Sequence, residues 1–91
     1  MLSRGDVLIR LREVTSELSG LHRELATVLI AEAKAKAEAW RDTDASSVAA
    51  ADREARYRAV DYTLEAIRLK GEIAAFEAEQ TFLVQFLPFA D

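Results

Sequence analysis

The stretch VLIRLREVTSELSGLHRELATVLIAEAKAKAEA, residues 7–39, decides the fold. Apolar residues recur in a 4-3 rhythm at Val7, Leu11, Val14, Leu18, Leu21, Leu25 and Val28, and the rhythm continues through Glu32, Ala35 and Ala39. Only Glu32 is polar among these ten positions, so the segment reads as one long coiled-coil-like helix. Ser3 followed by Asp6 has the form of a capping box. Ala31–Ala39 alternates Ala with Glu or Lys, residues of high helix propensity. Glu32 and Lys36 add an ion pair at i,i+4 in the favourable orientation.

Working outward, Trp40-Arg-Asp-Thr-Asp-Ala-Ser-Ser47 breaks the rhythm. Thr43, Asp44, Ser46 and Ser47 compete with helix by bonding to local backbone, which puts a turn at about 42–46. A second rhythm then runs through Ala55, Ala59, Tyr62, Ala66, Leu69, Ile73, Phe76, Gln80, Leu83 and Leu87, and Pro88 ends it. The expectation is a single all-α domain over 1–91: arm one at about 4–41, arm two at about 47–87. A short connection between such arms makes a long antiparallel helical hairpin. With the turn near 44 or 45, facing residues have numbers that sum to about 88–91. Gly20 and Gly71 then share a level, which suggests a close crossing or a shared bend.

Arm two carries more apolar surface than one partner covers. Tyr62, Ala66, Leu69, Ile73 and Phe76 form one stripe, while Val60, Leu64, Ile67, Ala74, Ala78 and Phe82 form another on the opposite side. A helix with two opposed apolar stripes needs two neighbours. Arm one supplies the first, and a second copy of the chain is the economical second. The expected self-interface is therefore Val60, Leu64, Ile67, Ala74 and Phe82, in a homodimer or higher oligomer, most simply a two-fold four-helix bundle.

Composition narrows the chemistry. The 91 residues include no Cys, one His, three Gly and one Pro, which leaves no disulfide, thiolate or Gly-rich phosphate site. Of the 46 hydrophobic residues 17 are Ala, and no run approaches a membrane span of ~20 apolar residues. The net charge of −4 sits at one end: residues 1–70 hold 12 basic and 12 acidic groups, whereas 71–91 hold Glu72, Glu77, Glu79 and Asp91 alone. Glu77 and Glu79 form an acidic collar that discourages anionic membranes. The N-terminus lacks the long apolar region of a secretory signal, so the cytoplasm is the default address. His22 lies beside the seam, and carboxylate pairs such as Glu13/Glu17 and Asp61/Glu65 lie on polar stripes. No catalytic residue, metal site or cofactor is expected.

Three further clusters are candidates for partners. Arg53, Arg56 and Arg58 with Tyr57 among them suit single-stranded nucleic acid, although Asp52 and Glu54 are spaced to neutralise Arg56 and Arg58. Trp40 beside the turn could be covered by Val48 or anchor another protein. The tail with Phe82, Phe86 and Phe89 reads either as an apolar plug against Leu2, Val7, Leu8 and Ile9 or as a docking peptide. A small ligand held between subunits is a further alternative.

Ala31–Trp40, Ser47-Val-Ala-Ala-Ala-Asp-Arg-Glu-Ala55 and Ile73–Glu79 resemble the small Ala/Glu/Arg-rich helical-hairpin proteins encoded by tailed phages and prophages. The resemblance implies a phage accessory or assembly factor, acting in the host cytoplasm through protein contacts, with no established catalytic residues. Trp40 at the turn is also similar to the Trp of WXG-type secreted hairpin proteins. Their Trp-x-Gly stands here as Trp40-Arg-Asp, and Tyr57 to Asp61 puts their Tyr-x-x-x-Asp mid-helix.

Overall fold

A computed structural model describes residues 3–44 and 46–91, so the expected contact of Leu2 and the turn residue Ala45 lie outside the described residues. The described chain is all-α and contains no strand. Helix α1 spans Arg4–Asp42, α2 spans Val48–Arg58, α3 spans Val60–Phe86, and a 3-10 turn follows at Leu87–Phe89. The molecule is a rod of 66 × 17 × 14 Å with a radius of gyration of 19.8 Å. A compact chain of this length would have a radius near ~12 Å. So slender a shape has no deep interior, and its core must be a seam along helix surfaces.

Local chemistry explains where the helices begin and end. The Ser3 hydroxyl accepts from the Asp6 N–H at 3.1 Å while the Asp6 carboxylate accepts from the Ser3 N–H at 3.4 Å, a complete capping box. Ser47 caps α2 in the same way, its hydroxyl accepting from the Ala50 N–H at 3.1 Å. Pro88 sits inside the closing 3-10 turn, where the tight geometry tolerates its missing donor.

α1 packs along both α2 and α3. The 4-3 positions of α1 are buried or half-buried throughout, including Val7, Val14, Leu18, Leu21 and Ala39. On the other side of the seam lie Ala51, Ala55, Ala59, Ala66, Leu69, Ile73 and Leu83. The seam is graded. Its large residues form one cluster, with Leu25, Phe76, Phe86 and Leu87 packed against it. The buried residues nearer the turn are Ala39, Ala51, Ala55 and Ala59.

Both polar seam positions have partners across the seam. Glu32 accepts from the Thr63 hydroxyl at 2.5 Å, and the Gln80 amide donates to the Thr15 hydroxyl at 3.3 Å. The Arg4 N–H donates to the Asp91 carbonyl at 2.6 Å. The numbers in each of these pairs sum to 95, so facing residues lie about one helical turn beyond the expected register. The connection itself is as long as expected and only one residue later, since α1 ends at Asp42 and α2 begins at Val48. Arg10–Glu79 still matches the expected sum, because a long guanidinium spans the offset.

Three expectations are corrected. The second arm is divided at Ala59, whose backbone (φ −95°, ψ 1°) leaves the helical region. The Thr63 hydroxyl lies 3.3 Å from the Ala59 carbonyl, but its single proton goes to Glu32 at 2.5 Å. Gly20 and Gly71 do not mark a close crossing, because a Cβ on either would meet nothing within 4 Å. Tyr62, spaced for the seam, is exposed beside Ala31 and Ala35. The Ala-lined level of the seam leaves no room for its ring.

Candidate interaction surface

α3 has one face in the seam and the opposite face uncovered. On the uncovered face Val60 is 43% exposed, Leu64 59%, Ile67 60% and Phe82 59%, and Ala74 and Ala78 are exposed with them. Successive residues turn by about 100°, which puts these positions roughly opposite Ala66, Leu69 and Ile73. Every residue named for a self-interface therefore lies at the surface of the single chain.

The two flanks of this face differ. On one, Arg68 holds Glu65 and Glu72 at i−3 and i+4. Glu79 continues that flank and is gripped by Arg10 of α1, with Nε donating to Oε2 at 2.5 Å and the second contact at 2.8 Å. The Arg10 hydrogen bonds hold the Glu79 carboxyl below its ordinary range, and Arg68 does the same to Glu65. Glu79 is therefore a link between helices and not part of a free acidic collar. On the other flank Thr63 is engaged with Glu32, whereas Lys70 and Glu77 are exposed and form no ion pair among the described residues.

The Arg10–Glu79 link carries a pH signature. A depressed folded-state pKa contributes stability above the unfolded value, near 4.5, and loses it as pH falls through the lower folded value. Glu79→Gln is therefore expected to melt below the parent at pH 7, and the gap should narrow as the pH drops below 4.5. Thermal melts of both proteins between pH 7 and pH 2.5 check this. A constant gap would mean that the charge is not what matters.

The aromatic tail splits. Phe86 is half-buried and packs on the core cluster, with Phe82 stacked against it at 5.9 Å between ring centroids. Phe89 remains 76% exposed. Val7 is buried as a plug would require, but Leu8 and Ile9 stay exposed, contrary to the expectation that the tail covers them. Leu8 instead lines an open groove with Leu11, Arg12, Thr15, Gln80 and Val84. That groove went unread in the sequence because Val84 and Leu8 belong to neither rhythm.

At the turn, Trp40 and Val48 line one shallow depression with Thr43, Ser47 and Ala51, and both remain exposed. In the basic cluster, Arg56 pairs with Asp52 at 2.8 Å and Arg58 with Glu54 at 2.9 Å. Asp42 lies 3.9 Å from Arg58 as well. Arg53 makes no ion pair among the described residues, and Tyr57 is exposed. Among the described residues no three His, Asp or Glu side chains converge to hold a metal, and no helix is long and apolar enough to cross a membrane. No protein-family model matches the chain, and neither curated proteins nor solved structures include a match to it.

Proposed function

We propose that the chain is an antiparallel helical hairpin that acts as a non-enzymatic interaction module and completes a helical bundle with a second copy of itself. The pairs Arg4–Asp91, Thr15–Gln80 and Glu32–Thr63 support the hairpin, because ascending numbers on one side meet descending numbers on the other. The observation that carries self-association is the uncovered face of α3. Val60, Leu64, Ile67 and Phe82 are exposed on the helix whose other face supplies Leu69 to the core. Apolar side chains gathered on one face mark a protein-contact surface. Trp40 and Phe89, at opposite ends of the rod, remain for other protein partners. The resemblance to phage-encoded hairpin proteins puts such contacts in the setting of an assembly or accessory factor.

Replacing Leu64 and Ile67 together by Glu puts two charges on this face and leaves the seam untouched. The variant is expected to stay helical by circular dichroism and to show about half the parent mass by light scattering. An unchanged mass would remove this face as the self-interface. Nucleic-acid binding through Arg53, Arg56, Tyr57 and Arg58 is the weaker reading, since carboxylates already hold Arg56 and Arg58.

A further inference from the structure

Resting on the self-association reading, we propose that α3 pairs with the α3 of a second copy in one antiparallel register, with Gly71 facing the partner's Ala74. The uncovered face has its own 4-3 spacing, and its two halves differ in size. Between Val60 and Ala78, Val60, Leu64 and Ile67 are large, Gly71, Ala74 and Ala78 are small, and all six are exposed; Phe82, the next large residue of the face, lies beyond this stretch, level with the partner's Thr63 in this register. Two parallel copies in register would stack large on large over Val60–Ile67, small on small over Gly71–Ala78, and ring on ring at Phe82. Helix axes cannot then keep one separation, and the small stretch between Ile67 and Phe82 would be left unpacked. Antiparallel pairing puts the large half of each copy over the small half of the other. Ile67 falls on the partner's Ala78 and Leu64 on the partner's Thr81.

Charge selects the register. Lys70 and Glu77 lie on the same flank of this face and are exposed. Seven residues of helix separate them by about 10.5 Å along the axis, too far for a bridge within one chain. With Gly71 over the partner's Ala74, Lys70 lies beside the partner's Glu77, and the two-fold axis repeats the contact. Sliding by one heptad brings Lys70 onto the partner's Lys70, or in the other direction Glu77 onto the partner's Glu77. Flanking charges of this kind contribute little affinity but discriminate between registers.

Gly71 fits the same arrangement. A Cβ there would meet nothing within 4 Å, so the single chain gives no steric reason for glycine. Glycine costs a helix interior about 1 kcal/mol relative to Ala. At the centre of the pair it allows the two backbones their closest approach.

The chain has no cysteine, so single cysteines report geometry cleanly. Ile67→Cys and Ala78→Cys, both at exposed positions, are mixed and oxidised gently, and the disulfides are identified by mass. The 67–78 heterodimer is expected to dominate over either homodimer, because the facing backbones must approach within the disulfide range of about 7 Å between Cα atoms. Dominant 67–67 and 78–78 products together would establish parallel pairing, and either one dominating over 67–78 would overturn the proposal. Lys70→Glu should weaken the dimer about tenfold, and adding Glu77→Lys should restore it. Failure of the double variant to recover would overturn the register. Native mass spectrometry of the unmodified chain separates the two levels: a monomer at high concentration removes self-association itself, whereas a dimer with the wrong crosslinks removes only this register.

Discussion

Leu69→Ala is expected to lower the unfolding free energy by about 2–5 kcal/mol, the largest effect of any single truncation in the chain. Leu69 is fully buried and is the largest such side chain among the described residues. It belongs to the same cluster as Val7, Val14, Leu18, Leu21, Ile73 and Leu83. A compact domain can relax around a truncated side chain from several directions. In a rod 14 to 17 Å across, the neighbours are confined to the facing helix and the turns above and below. Little can collapse into the space, so the cost belongs near the upper end of the range. Domain stabilities are typically about 5–15 kcal/mol, and a loss of this size would remove a large part of that. Urea denaturation at one fixed protein concentration checks it, because self-association makes apparent stability concentration-dependent. The midpoint should fall with an unchanged slope. A loss under about 1 kcal/mol would mean that the seam at Leu69 is loosely packed.

The features legible in the sequence are those that repeat or act within one turn. The 4-3 rhythm identified the seam because each α1 position packs under the same constraint, and even Glu32 kept its place in it. Ser3 and Ser47 were legible because a cap is satisfied by the next three residues. The break at Ala59 was not, since Ala is the strongest helix former and its neighbours in sequence carry no helix-breaking residue. Arg10–Glu79 was missed as well. Glu79 looks like one more member of an acidic stripe until the opposite helix supplies its guanidinium. Tyr62 shows the limit of periodicity, because spacing gives the side a residue faces and not the room it finds there. On the uncovered face of α3, the exposure of Val60, Leu64 and Ile67 is a fact of the single chain.

Ala55→Leu carries the second large expectation, and its sign runs against hydrophobicity. Leucine is more apolar than alanine and nearly as good a helix former, so on an open surface the change would be close to neutral. Ala55 is instead almost wholly buried, and Ala39, Ala51 and Ala59 are buried with it at the turn end of the rod. Methyl-sized side chains at these positions let the helices approach closely, and three added carbons have nowhere to go. Overpacking of this kind typically costs about 1–3 kcal/mol. The nearby bend at Ala59 would take up part of the strain, so α2 should loosen before α3 does. Ala33→Leu, on the exposed side of α1, is the matched control and should stay within about 0.5 kcal/mol of the parent. Hydrogen exchange then locates the damage: faster exchange in Val48–Arg58 with Leu69 and its neighbours still protected is the expected pattern. If Ala55→Leu matched the control, the helices would have to stand further apart near the turn than four buried alanines allow.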